Sequence, residues 1–194
     1  VHPSLPTRNM AEFLSHVRAN PGKLNIASAG NGSLSHLSVE LFRSQGQLDL
    51  VNVGYKGAAP ALNDLVAGQV NAMIINIPSA LTLVQSGKLR ALASTGARRT
   101  SLMPELPTLS ESGLPGYDTV AWFGLVADAK TPPEVIARLH AETQKVLARP
   151  ELREQLARLG AEPANLSSEA FAGFMRSEVT KYSKIIRDAG IKVE

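Results

Sequence analysis

The sequence predicts an α/β fold in which a doubly wound parallel sheet is followed by a mainly helical part. Up to about residue 95, short apolar segments alternate with amphipathic segments of helical spacing, and this alternation is typical of parallel βαβ units. Beyond about residue 125, the apolar residues follow helical spacing alone. We therefore expect an α/β lobe over residues 5–118, and a hinge strand followed by helices over residues 119–194.

The first part of the chain begins with a helix and continues as strand–helix units. Asn9 and Glu12 form a capping box that opens this helix, and Pro21 follows its end. Five of the seven residues in segment 70–76 are apolar, so we expect a fully buried strand there. The predicted strands are residues 24–28, 50–55, 70–76 and 89–94. The helices between them begin near Ser33, Ala58 and Pro78, and Ser33 is expected to cap the first of these helices.

The second part is predicted to contain one more strand and then helices. Prolines and glycines interrupt residues 95–116, which indicates an irregular connection. Strand 119–126 follows and holds Trp122, the only tryptophan. Three helices are expected beyond it: one opened by a capping box at Thr131–Glu134, one opened by Pro150, and a long one ended by Gly190. The inward face of the long helix is expected to hold Phe171, Phe174, Met175, Val179, Tyr182 and Ile186.

Composition excludes several classes of function. The chain has 194 residues, 44% hydrophobic and 19% charged, which is ordinary for a globular protein. It has no cysteine, so disulfides, cysteine metal sites and thiol catalysis are excluded. The net charge of +3 is scattered rather than gathered in a basic stripe, so we expect no nucleic-acid partner. The four histidines show no ligand spacing, and no metal or cofactor is predicted.

Three loops attract attention because each joins the end of a predicted strand to the start of a helix: 28–35, 55–58 and 76–79. The carboxyl ends of parallel strands meet at one edge of the sheet, where open α/β sheets bind ligands. Helix N-termini there present free N–H groups and a partial positive charge, which favours a carboxylate or phosphate. The candidate ligand-binding residues are Ser28, Ala29, Gly30, Gly32, Ser33, His36, Tyr55, Gly57, Ala58 and Asn76.

Other interpretations of these loops stay open. The glycines could serve only tight turns, and His36 either contacts a ligand or caps and packs locally. Gly30, Gly32 and Ser35 nearly match the dinucleotide fingerprint, but the third glycine and the acidic residue that should follow the second strand are missing. No nucleophile elbow is present. We therefore predict no catalytic residue, and a small dehydrogenase-like α/β enzyme remains the alternative.

A set of short motifs carries a resemblance that covers essentially the whole chain. In order along the sequence they are Ala19–Leu24, Ser28–Ser33 with His36, Tyr55–Leu62, Gly87–Ala93, Pro115–Tyr117, Ala121–Leu125 and Ala189–Ile191. Each motif is weak alone, but together they resemble the tripartite tricarboxylate transporter substrate-binding proteins, also called the Bug family.

The resemblance implies a periplasmic binding protein fold of type II, with a ligand cleft between two lobes that close by a hinge. It implies capture of a small organic carboxylate in the periplasm and delivery to a membrane permease, without catalysis. Ile75 stands where the family usually has Asp before Asn76, which makes amino-acid ligands less expected. Family members look longer at the amino end, so we expect a chain without that part and a possible oligomer or swapped dimer.

Overall fold

The computed structural model describes residues 1–192 and confirms the predicted alternation of strands and helices in the first part of the chain. In the described residues, the three strands all lie before residue 75, and the last three helices follow residue 132. The elements are α1 (Met10–Ala19), β1 (Asn25–Ser28), α2 (Leu34–Gly46), β2 (Val51–Gly54), α3 (Ala58–Val66), β3 (Ala72–Met73), α4 (Ile77–Gln85), α5 (Pro133–Leu147), α6 (Pro150–Arg158) and α7 (Ser168–Asp188).

The sheet is parallel, with β1 in the centre, β2 on one side and β3 on the other. Ile26 lies opposite Asn52 of β2 and Ala72 of β3, which fixes the register of all three strands. In this order the loop after β1 lies between the loops after β2 and β3. The sheet therefore brings the three predicted loops to one edge.

Helices cover both faces of the sheet, as a doubly wound fold requires. Successive side chains of a strand point to opposite faces, and β1 follows this rule. Ile26 joins an apolar cluster that includes Phe13 of α1 and Phe42 of α2, whereas Ala27 joins a second cluster with Leu65 of α3. The predicted α/β class is confirmed by this arrangement.

The N-cap predicted for α1 is confirmed, but its capping box is only half formed, because Glu12 reaches back to the N–H of the residue before the N-cap and not to the N–H of the N-cap itself. The Asn9 side chain accepts a hydrogen bond from the Glu12 N–H at 2.9 Å, and the Glu12 carboxylate accepts from the Arg8 N–H at 2.7 Å. The capping box predicted at Thr131 is wrong. Helix α5 begins at Pro133 with Pro132 as its N-cap and without a side-chain hydrogen bond, because proline supplies no side-chain acceptor at that position.

Two predicted strands in the first part are mostly irregular. Only Ala72–Met73 of segment 70–76 forms a strand, and of segment 89–94 only Ser94 forms a bridge, to Thr108. The backbone groups of Arg90 exchange two hydrogen bonds with Val1, at 2.8 and 2.9 Å. The Arg90 backbone groups are therefore not available to extend the sheet beyond β3.

The predicted strand 119–126 is also wrong. Thr119 donates its N–H to the Thr95 carbonyl at 2.9 Å, and residues 120–128 beyond it have no strand partner among residues 1–192. A strand is defined by its hydrogen-bonded neighbour, so the apolar pattern of this segment is not enough to make one. Its large side chains are exposed: Phe123 by 92%, Leu125 by 81% and Val126 by 79%.

The chain divides into two compact units that differ from the predicted lobe boundaries. The first unit holds residues Val1–Val120 and the end of the chain from Tyr182, and the second holds Ala121–Lys181. Whether residues 5–118 and 119–194 act as separate lobes stays a prediction. None of the described helices is long and apolar enough to cross a membrane.

The second unit contains α5, α6 and most of α7, and a small aromatic cluster joins Trp122 to two rings of α7. The Trp122 ring meets the rings of Phe171 and Phe174 edge to face, with centroids 5.8 and 5.3 Å apart. Its indole N–H donates to the buried Glu178 carboxylate at 3.1 Å. Helices α5 and α6 contain no buried residue. Val179, predicted to face inward, is 66% exposed because the cluster occupies another face of α7.

Candidate functional site

The loops that follow β1 and β2 are in direct contact. The Tyr55 N–H donates to the Ser28 carbonyl at 2.9 Å, and the Gly57 N–H donates to the Ala29 carbonyl at 3.0 Å. Gly30 has a φ of +133°, and a side-chain carbon on it would lie 3.0 Å from the Tyr55 carbonyl oxygen. The close approach of the two loops therefore requires glycine at position 30.

Ser33 and Ser35 close the segment 29–35, which we call the glycine loop. The Ser33 hydroxyl donates to the Gly30 carbonyl at 2.7 Å and accepts from the His36 N–H at 3.2 Å. The Ser35 hydroxyl accepts the Ala29 N–H at 2.8 Å and lies 3.1 Å from the Ser33 hydroxyl. The predicted cap at Ser33 is thus confirmed, and its hydroxyl proton is already engaged within the loop.

His36 is held by the same loop. Its Nδ1 accepts the Gly32 N–H at 3.1 Å, while its Nε2 lies 3.7 Å from the Glu40 carboxylate. The Glu40 carboxylate in turn accepts two hydrogen bonds from Arg43, at 2.9 and 3.0 Å. The residue is only 9% exposed. Of the two interpretations left open by the sequence, the geometry favours local packing.

Tyr55 contributes its backbone to the loops, but its side chain is directed toward α3. The phenol donates to the Asp64 carboxylate at 2.8 Å, and the ring packs with the apolar residues between the sheet and α3. The hydrogen bond to Asp64, together with desolvation and the nearby negative charge, raises the pKa of Tyr55 above its ordinary value. The contact of Tyr55 with a ligand stays a prediction.

Two helix N-termini at this edge lack a side-chain cap. Helix α3 starts after Gly57 and α4 starts after Asn76, and neither N-cap residue accepts a hydrogen bond with its side chain. Their first turns therefore offer the N–H groups of Ala58, Ala59 and Ile77 to an acceptor. Pro60 and Pro78 have no N–H, and the Ser79 N–H already donates to the Asn76 carbonyl at 3.1 Å. Ala58 and the exposed Asn76 lie at these two starts, as the sequence predicted.

Ser28 adds a polar group beneath this edge. It is the last residue of β1 and is fully buried. Its hydroxyl oxygen has no hydrogen-bond partner in the described part of the chain. A buried hydroxyl without a partner is costly, so a polar group that reaches it would be stabilising. The three loops carry no acidic side chain, and Lys56 adds a positive charge.

Three contacts at this edge were missed by sequence reasoning. The hydrogen bonds of Ser35 join it to nearby residues of the same loop. The signal that could have indicated them is the position of this serine, two residues after the N-cap Ser33. The Asp64 bond to Tyr55 joins residues nine positions apart. The bond from the Asn31 side-chain amide to the Lys192 carbonyl, at 2.8 Å, joins residues 161 positions apart, and no sequence pattern indicates it.

A cleft of about 410 Å³ lies elsewhere on the first unit, lined in part by Arg8, Arg90, Met103 and Glu105. It contains none of the predicted site residues. The Arg90 guanidinium donates through one nitrogen to the carbonyl oxygens of Leu5 and Thr7, and the Glu105 carboxylate adds a negative charge to the lining. No cluster of three or more acidic or histidine side chains suited to a metal ion occurs within residues 1–192.

Comparison with known proteins matches this chain to one family. Residues 1–191 match the family described as "Tripartite tricarboxylate transporter family receptor". The protein in the tcbD–tcbE intergenic region of Pseudomonas sp. strain P51 is 38% identical over 180 residues, which cover 92% of this chain and 54% of that protein. The chain belongs to the tripartite tricarboxylate transporter receptor family, as the motifs predicted.

Solved structures confirm the periplasmic binding protein fold. The R. palustris protein Rpa4515, solved with adipate, is 35% identical with a TM-score of 0.84 and covers 98% of this chain. The periplasmic binding protein BugD is 32% identical with a TM-score of 0.80 and covers all of it. The chain spans 64% and 65% of those two proteins, and about half the length of the Pseudomonas relative.

Proposed function

We propose that this chain carries part of the carboxylate-binding site of a periplasmic solute-binding receptor. In this proposal a small organic acid binds at the carboxyl edge of the sheet and is passed to a membrane permease. The family description supports the receptor role, and the adipate bound by Rpa4515 supports a carboxylate ligand. The description of BugD as periplasmic supports the location.

One observation carries the proposal: the loop edge offers hydrogen-bond donors that nothing in residues 1–192 uses. The uncapped starts of α3 and α4 supply backbone N–H groups, and the positive ends of both helix dipoles favour an anion. The buried Ser28 hydroxyl supplies a further polar group. A carboxylate has acceptor oxygens only, and it therefore matches a surface of donors.

The same contacts argue for capture without catalysis. A general base must be able to reach a substrate proton, yet the His36 Nδ1 is occupied by Gly32. The Ser33 hydroxyl bonds to Gly30, and the Tyr55 hydroxyl bonds to Asp64. The proposed ligand residues therefore hold and orient, and no residue is assigned a chemical step.

The test is calorimetric titration of the 194-residue chain with adipate, with its neutral diamide, and with NAD. We expect adipate to bind and to raise the unfolding temperature, because a ligand that binds only the folded state stabilises it. The diamide keeps the length and loses both charges, so we expect it to bind at least tenfold more weakly. Binding of NAD without binding of adipate would favour the dehydrogenase-like alternative and overturn the proposal.

A further inference from the structure

We propose that His36 is a positioning residue of the glycine loop rather than a contact for the ligand. Its neutral imidazole accepts a hydrogen bond from the Gly32 N–H. This bond fixes the shape of the loop and so the directions of its other backbone N–H groups. The expected effect on affinity rests on the proposed function. The expected tautomer of the His36 ring and the expected exchange rate of the Gly32 amide do not rest on the proposed function.

The hydrogen bond from Gly32 determines which ring nitrogen of His36 holds the proton. The Gly32 N–H points to the His36 Nδ1 at 3.1 Å, and a nitrogen that accepts a hydrogen bond carries no proton. In a neutral imidazole the proton is then on Nε2. That nitrogen faces the Glu40 carboxylate, 3.7 Å away, which favours a protonated Nε2 over a bare one.

Contacts with Glu40 and with Ser33 hold the ring in this orientation. Arg43 donates two hydrogen bonds to the Glu40 carboxylate. The position of Glu40 is therefore stabilised by a residue of the next turn of α2. The His36 N–H is also the group that the Ser33 hydroxyl caps. Backbone and side chain of His36 therefore bind the glycine loop at two separate points.

The glycine loop depends on His36 for its attachment at Gly32. Gly32 has a φ of +70°, and a side-chain carbon built on it would meet no atom within 4 Å, so packing does not hold it. The hydrogen bond from its N–H to His36 ties this residue to α2. Without that bond the loop would have to be ordered by the ligand, and the cost of ordering would lower the affinity.

Substitutions can separate positioning from contact because the two nitrogens lie at different distances from the backbone. His36→Asn places an amide oxygen near the position of Nδ1, and His36→Gln reaches instead toward the position of Nε2. If His36 positions the loop, Asn should keep adipate affinity within about threefold, and Gln and Ala should each lose about two- to tenfold more than Asn. If the ring contacts the ligand through Nε2, Gln should rescue better than Asn, and the proposal is overturned.

Nuclear magnetic resonance of the wild-type chain without ligand tests the geometry by itself. We expect the ring nitrogen shifts of the Nε2–H tautomer, and slow exchange of the Gly32 amide that becomes faster in His36→Ala and is restored in His36→Asn. An Nδ1–H tautomer, or a Gly32 amide that exchanges equally fast in all variants, would overturn the proposal. If no variant and no wild-type chain binds adipate while the ring behaves as expected, the proposed function fails and the positioning role stands.

Discussion

At the scale of single residues, the glycine loop depends on one position where a side chain has no room. Gly30 has a positive φ, and a side-chain carbon placed on it would lie 3.0 Å from the Tyr55 carbonyl oxygen. Gly32 also has a positive φ, but a side-chain carbon placed on it would meet no atom within 4 Å. A side chain would therefore cost more at Gly30 than at Gly32. Only at Gly30 do backbone strain and steric exclusion act together.

Substitution of the two glycines by alanine tests this difference. Gly32→Ala should lower the free energy of unfolding by about 1 kcal/mol from the left-handed backbone alone. Gly30→Ala should cost about 1–2 kcal/mol more, because the neighbouring loop must also move. Urea unfolding of both variants measures the difference, and equal losses would show that the contact with Tyr55 relaxes without cost.

A second residue-scale prediction concerns the buried phenol of Tyr117, which donates to the Ser38 carbonyl at 2.7 Å. Burial raises the pKa of Tyr117 well above its ordinary value. In the unfolded chain a tyrosine titrates near pH 10. The contribution of Tyr117 to stability is therefore complete below about pH 10 and declines as the pH rises above that value.

Tyr117→Phe isolates this effect, since all other groups titrate alike in both chains. At pH 8 the wild type should be more stable by about 1 kcal/mol, the net value of one hydrogen bond. At pH 11 this advantage should shrink by about 1 kcal/mol or vanish. Urea unfolding at both pH values measures it, and an advantage that stays constant would contradict the assigned direction of the pKa.

At the scale of elements, the cap of α2 links stability to the proposed site. Ser33→Ala removes the acceptor of the His36 N–H and the donor to Gly30, so we expect a loss of about 1 kcal/mol in the free energy of unfolding. We also expect weaker binding of adipate, because the loop loses a constraint. The matched control is Asn9→Ala, which removes the cap of α1. It should cost similar stability and leave the affinity unchanged. Equal affinity in both variants would show that the cap serves only the helix.

Elements were predicted well from the sequence where the residues that determine them lie within one short segment. The cap residues Asn9 and Ser33 are local signals, and they were confirmed with their partners. The starts of α3 and α6 were confirmed for the same reason. The family motifs likewise lie in short segments, so the amino-acid sequence alone was enough to predict the fold and the candidate loops.

The predictions that failed depend on distant partners. Segments 70–76, 89–94 and 119–126 have strand-like composition, but pairing requires a neighbour that local sequence does not reveal. Arg90 pairs with Val1 instead, and the segment after Thr119 pairs with nothing in the described residues. In the candidate site, the side-chain direction of Tyr55 was missed because it is set by Asp64 on the following helix.

At the scale of the whole molecule, segment 121–127 is an exposed apolar part of the second unit. Its backbone lacks strand partners in residues 1–192, and the side chains of Phe123, Leu125 and Val126 are largely in solvent. Unpaired backbone N–H and C=O groups beside apolar side chains are a template on which another chain can pair as a strand. We predict that a second copy of the chain pairs with this segment.

Light scattering over a range of concentrations tests this prediction. The chain should associate as its concentration rises, and Leu125→Pro should weaken the association because proline cannot donate to a strand partner. Leu159→Asp is the control, since Leu159 is exposed at the end of α6 and lies outside the segment. A monomer at every concentration, or equal association in both variants, would contradict the prediction that a second copy pairs with segment 121–127.

In the proposed function a carboxylate binds to the free N–H groups at the carboxyl edge of the sheet, and a titration with adipate followed by amide resonances measures this binding residue by residue. We predict that the largest shifts fall on the amides of Lys56, Ala58, Ala59 and Ile77, and that they saturate together. Shifts confined to the distant cleft around Arg8 and Arg90, with the four loop-edge amides unchanged, would contradict the claim.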